Sequence, residues 1–150
     1  MALDPADDPF DLARFVAAQQ DVYAQALAEL RAGRKRSHWI WAVLPQLRGL
    51  GTSAMSQRYG LSGMAEARAY LAHPVLGPRL HACVAAMQSH ATRSAPEILG
   101  DLDARKWRSC LTLFAQAAGP GSPFQAALER FFGGEPCGET LRRLRGSSPA

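Results

Sequence analysis

The sequence predicts an all-α fold: a single compact domain of six to eight helices, several of them short. Three observations lead there. Apolar residues recur at helical spacing, as in Leu12, Phe15, Val16, Val22, Tyr23, Ala26, Leu27 and Leu30. Glycine, proline and capping residues punctuate these segments, most clearly at Ser122-Pro-Phe-Gln125. That run sets a capping serine, a proline at the first helical position and a glutamine at the third. Finally, no segment shows the apolar–polar alternation that would give a strand a partner.

Taken in order, residues 1–9 read as a flexible lead-in, because Asp4-Pro5 and Asp8-Pro9 disfavour helix. One long helix is expected from about Asp11 to Ala32, stopped by Gly33 with Arg31 in its last turn. The apolar run Ser37–Leu44 fits a short buried helix ended by Pro45, and Ser53–Tyr59 a second. Residues 64–72 form the next helix, with Glu66 in the first turn where the dipole favours an acid. A longer helix starts at Pro78 and runs to about His90, burying Leu80, Val84 and Met87. Ser94 and Glu97 have capping-box spacing. Asp101 or Asp103 then caps a helix striped by Trp107, Cys110, Leu111 and Phe114. After the helix that Ser122 opens, a last short one spans about Glu139–Arg145. Residues 146–150 read as a frayed tail, leaving 10–145 as the domain.

With 150 residues, 47% hydrophobic and 20% charged, the chain suffices for one buried core and is not a disordered composition. A net charge of +4 leans toward anionic partners. Cys83, Cys110 and Cys137 are odd in number and widely spaced, which fits apolar fillers in a reducing compartment rather than a disulfide framework. The acidic start lacks the basic and apolar regions of a signal peptide, and no apolar run nears the ~20 residues of a membrane span. These features describe a soluble cytoplasmic protein with no membrane partner. Nothing here sets an oligomeric state.

The chemistry concentrates in Gly33–Gly51, which puts four basic residues, a histidine, two tryptophans and a glutamine beside three glycines. Aromatic faces next to cationic donors suit a nucleobase, a ribose phosphate or another flat anion. Closely placed glycines let backbone amides approach a ligand. The candidate ligand-binding residues are Lys35, Arg36, His38, Trp39, Trp41, Gln46, Gly49, Gly51 and Ser53. Each has a plainer role available: the tryptophans as core, the serine as a helix cap, the basic residues as a solvated face. The catalytic residues are unknown; Glu66 and Asp103 are the carboxylates to inspect for acid–base work, each with a capping or solvated role as its plainer account. Gly49-Leu-Gly-Thr-Ser-Ala54 loosely matches a dinucleotide fingerprint but lacks the strands that motif needs. There is no phosphate loop, no paired-histidine zinc motif and no nucleophile elbow, so no metal and no cofactor are implied.

The run Ser37-His-Trp-Ile-Trp, with Pro45-Gln46, Gly49-Leu-Gly51, Ser53, Ser56 and Tyr59, resembles the signature of an uncharacterised family, domain of unknown function 1810. Glu66-Ala67, Tyr70-Leu71, His73-Pro74, Leu76-Gly77, Arg79-Leu80, Asp103, Lys106, Ser109 and Leu113-Phe114 extend the likeness over roughly residues 10–145. The resemblance implies a compact helical domain and no established activity, cofactor or catalytic residue. Some members carry a calpastatin label, which a compact apolar chain gives no reason to adopt.

Three readings compete. The first is a pocket for a small anionic ligand, nucleotide or ADP-ribose-like, with hydrolase activity as an extension. The second is a nucleic-acid or protein interaction module built from the basic groups at 31–36, 105–108 and 142–145. The third is a structural knot with no ligand.

Overall fold

A computed structural model describes residues 7–146. The frayed-tail expectation for 147–150, and the lead-in before Asp7, lie outside them. The described residues form ten helices, seven of them longer than five residues. In order they are α1 (Ala13–Gln20), α2 (Tyr23–Ala32), α3 (Ile40–Val43), α4 (Ala54–Arg58), α5 (Met64–Ala72), α6 (Leu76–Gln88), α7 (Ala95–Leu99), α8 (Asp101–Ala118), α9 (Pro123–Phe132) and α10 (Gly138–Gly146). The three single-turn elements, α3, α4 and α7, bring the number above the expected six to eight.

α8 is the axis of the fold. Trp107, Cys110, Leu111, Leu113 and Phe114 are fully buried along it. Phe114 meets Tyr70 of α5 with ring centroids 5.3 Å apart and Phe124 of α9 at 5.6 Å, while Trp107 meets Phe131 at 4.9 Å. One continuous apolar cluster joins these residues to Phe15, Leu30, Trp39, Leu76 and Leu80. Burying an aromatic or leucine side chain contributes about 1.5–3 kcal/mol each, so this cluster supplies the main favourable term.

The expected helix over Asp11–Ala32 is two helices, interrupted at Asp21-Val22. Both are poor interior helix formers, and Val22 N bonds three residues back to Gln19 O. Gln19 gains tertiary bonds at this break: its amide donates to Ala42 O at 2.8 Å and to the Tyr70 hydroxyl at 3.1 Å. The first element is also anchored earlier than expected, since the Asp8 carboxylate accepts from Leu12 N and Ala13 N. The start of α8 differs too. Gly100 is its N-cap, and Asp101 and Asp103 lie inside the first turn, where they complement the dipole instead of capping.

Other start signals act locally as their chemistry dictates. Ser94 and Glu97 form a reciprocal capping box, and Ser122 accepts from Gln125 N. His73 Nδ1 accepts from Val75 N and Leu76 N, so the imidazole caps α6, which begins two residues before Pro78.

Two features position the stretch between α2 and α4. Gly33 ends α2 with φ of 81°, a conformation few side chains adopt. Further on, Leu61 N donates to Gln46 O and Arg48 N to Leu61 O, an isolated parallel bridge that fixes the Gln46 backbone. Gly60 sits against it so closely that a Cβ there would lie 2.6 Å from Arg48 Cα.

Candidate functional site

The segment after Gly33 folds around one carboxylate. Glu29, on α2, is 4% exposed and accepts five hydrogen bonds. Oε1 receives Arg36 N at 2.8 Å, Ser37 N at 3.1 Å and Trp39 Nε1 at 2.8 Å. Oε2 receives the Ser37 hydroxyl at 2.7 Å and the Gln25 amide at 2.8 Å. Burial works to raise its pKa, but these donors outweigh it and hold the carboxyl well below the usual carboxylate range. Trp39 is therefore a sealed anchor, 1% exposed, with Lys35 Nζ lying 5.1 Å from its ring centre. Lys35 is committed as well, to the Ser37 carbonyl and to Asp103 Oδ2 at 2.9 Å.

Two residues later the situation reverses. Trp41 is half-buried, its ring 4.7 Å from that of Tyr59. Beside it lies a small recess of about 30 Å³, room for about one water molecule. Ile40, Leu44, Gln46, Ser53, Ser56, Tyr59, Gly60 and Lys106 complete its wall. Two larger hollows share part of this lining. One, about 500 Å³, runs past Lys35, His38, Trp41 and Ser53 to the start of α8. The other, about 630 Å³, runs past Gln46 and Gly51 to Arg105, Arg108, Ser109 and Cys137. Lys106 borders all three. Its side chain is 35% exposed and its ammonium lies 3.8 Å from Asp103, too long for a tight ion pair. The two hollows have the volume of small-molecule sites.

The candidates thus divide. Lys35, His38, Trp39, Trp41, Gln46, Gly51 and Ser53 each border at least one of these three adjoining hollows, together the candidate groove. Arg36, Gly49 and Glu66 border none of the three hollows. Arg36 is exposed, and Gly49 abuts the Arg143 guanidinium. Glu66 serves as a buried counter-ion: Oε2 is 2.9 Å from Arg14, and Oε1 accepts from both the amide and hydroxyl of Ser62. With its oxygens so engaged, Glu66 is a bracing residue for the Arg14–Gly60 corner rather than an acid or base facing the groove. Ser53 also keeps its plainer role, accepting from Ser56 N as the cap of α4.

Sequence reasoning passed over Glu29, and it read Lys106 only as part of a basic patch. No local signal marks Glu29, whose partners arrive from seven to ten residues later through the turn at Gly33. Lys106 was legible in principle, lying three residues after Asp103 and next to the buried Trp107. Cys137, a filler on the sequence reading, borders a hollow, and its sulfur receives the Ser109 hydroxyl at 3.3 Å. Burial raises this thiol's pKa; the Ser109 and Thr140 hydroxyls and the amides of Thr140 and Glu139 draw it below the ordinary cysteine value. Cys83 goes the other way, pushed up to about 12 by burial.

Some of the basic residues pair with nearby carboxylates. Arg108 pairs with Glu135 at 3.3 Å, and Arg142 and Arg143 both pair with Glu139. Among the described residues no group of three or more His, Cys, Asp or Glu side chains gathers as a metal site, and no helix is long and apolar enough to cross a membrane.

A family model described as a protein of unknown function, DUF1810, matches residues 9–144, nearly the whole chain. The chain belongs to the DUF1810 family. Among solved structures, this DUF1810 chain is similar to a conserved hypothetical protein from Mycobacterium tuberculosis known from a crystal structure. The two are 50% identical, with a TM-score of 0.89 over 91% of this chain and 98% of that one. Among curated proteins, none matches this DUF1810 chain.

Proposed function

We propose that this protein binds a small anionic ligand with an aromatic ring, of the nucleotide class, in the groove between Trp41 and Lys106. One observation carries the reading: a half-buried indole, a primary amide and a loosely held ammonium border one recess, and two ligand-sized hollows share part of its wall. Trp41 offers a stacking face, worth about 1–3 kcal/mol for a nucleobase. Lys106 supplies the charge-assisted donor for a phosphate. Gln46, its backbone pinned by the bridge to Leu61, presents one donor group and one acceptor to a base edge. The neighbouring Glu29–Trp39–Lys35 cluster holds this wall in place without touching the ligand, so the structural reading of the stretch applies to its first half and the binding reading to its second.

Hydrolase activity gains no support from this arrangement: Glu66 borders none of the three hollows, and Asp103, which borders one, is held as an ion-pair partner by Lys35 at 2.9 Å. A nucleic-acid role is disfavoured by the paired arginines. Calorimetric titration with adenosine 5′-monophosphate tests the proposal. Binding to the wild type, weakened about tenfold or more by Lys106→Gln or Gln46→Ala in folded variants, supports it. Equal affinity in all three proteins removes the groove as the site.

A further inference from the structure

Lys106 also borders a second hollow, the second arm of the candidate site, which carries charge of its own. On α8, Arg105, Arg108 and Ser109 fall at helical neighbour spacing and border the hollow that Gly51, Glu135 and Cys137 close from the other side. Asp103 and Lys106, three apart, border the hollow that contains His38 and Trp41. Lys106 stands on the ridge between the two.

The charges in the second arm are not equally free. Arg108 is tied twice to Glu135, through its carbonyl at 2.8 Å and its carboxylate at 3.3 Å. Glu139 is engaged by Arg142 and Arg143. Arg105 is exposed and, among the described residues, forms no ion pair. The acidic residues of this arm thus have partners, and the guanidinium without one borders the same hollow as Lys106.

We infer that the groove takes a ligand with two consecutive anionic groups, a nucleoside diphosphate. The first phosphate sits on Lys106 and the second on Arg105. This rests on the nucleotide reading above and adds a specificity determinant to it. The guanidinium can take a terminal phosphate through two parallel N–H groups, which a single lysine cannot do. Gly51 borders this arm too, where a Cβ would lie 2.6 Å from Ser56 Oγ, which leaves no room for a side chain.

The test compares adenosine 5′-monophosphate with adenosine 5′-diphosphate by calorimetry, using the full chain with a chelator present. The wild type is expected to bind the diphosphate about tenfold more tightly, the scale of one added charge-assisted contact. Arg105→Gln abolishes that preference and leaves monophosphate affinity unchanged. Arg34→Gln, an exposed charge that does not border the groove, leaves the preference intact, which separates a local contact from the field of a +4 chain. Monophosphate binding with no gain for the diphosphate, or a gain that survives Arg105→Gln, overturns the inference and spares the nucleotide reading. No binding of either nucleotide overturns both.

Discussion

Removing the Glu29 carboxylate is expected to loosen the whole Gly33–Trp39 turn, and its cost can be worked from the contacts. Glu29→Ala strips the acceptor from three donors on Oε1: Arg36 N, Ser37 N and Trp39 Nε1. Trp39 is fully buried, so its N–H bears the full penalty of an unmet donor, about 1–3 kcal/mol; the two backbone amides are partly buried and recover some water. With the lost side-chain packing, the total comes to roughly 3–5 kcal/mol. Glu29→Gln is milder. Its carbonyl keeps the three Oε1 bonds, and Gln25 and the Ser37 hydroxyl reorient to accept from its amide, leaving a loss of roughly 1–2 kcal/mol from the missing charge. Urea unfolding at pH 7 reads this directly: with a slope near ~2 kcal/mol/M, the alanine variant loses roughly 1.5–2.5 M in midpoint. The pH dependence has a definite sign. The folded pKa of Glu29 lies below its unfolded value, so its contribution is fully present above about 4.3 and is lost as pH falls below that. The gap between wild type and Glu29→Gln should therefore shrink on acidification. A Glu29→Ala midpoint within ~0.5 kcal/mol of wild type, or a gap that does not narrow at low pH, refutes the reasoning.

Gly33→Ala is expected to cost about 1–2 kcal/mol for the left-handed backbone. Crowding adds to it, since the new Cβ would lie 3.0 Å from a His90 ring held by Leu30 O; thermal unfolding measures both together. Under native conditions Cys137 is the thiol expected to react with iodoacetamide, with half-maximal rate at a pH below the ordinary value of about 8.5, while the fully buried Cys83 and Cys110 stay unmodified. Peptide mapping across pH checks this, and equal labelling of all three would contradict it. Glu66→Gln removes the partner of Arg14 and should lower stability by roughly 3 kcal/mol while leaving nucleotide affinity unchanged, as denaturation and titration of the same variant would show.

Helical periodicity and the Ser94 and Ser122 caps were legible because each is a local event, complete within a few residues. The break at Asp21-Val22 was not, because apolar spacing on either side continues the same stripe and the bonds that favour the break come from Ala42 and Tyr70. The difference between the two tryptophans was half legible. Two residues on a short helix point apart, but which one is sealed depends on Glu29, a residue that reads as ordinary polar helix surface. Arg36 and Gly49 fall outside the groove because neighbours in sequence diverge once the segment turns at Gly33 and again at the Leu47–Leu61 bridge. Lys106 and Arg105 enter it from α8, a part of the chain no reading of the 33–51 stretch can supply.

The most direct measurement is a titration of the three indole N–H signals by two-dimensional NMR with adenosine 5′-monophosphate. Trp39 Nε1 is bonded to Glu29 and Trp107 Nε1 is buried without a partner, whereas the Trp41 ring borders the groove. The Trp41 signal should shift progressively to saturation while the other two stay fixed. A Trp41 signal that does not move at millimolar ligand, or movement confined to Trp39 or Trp107, contradicts the account.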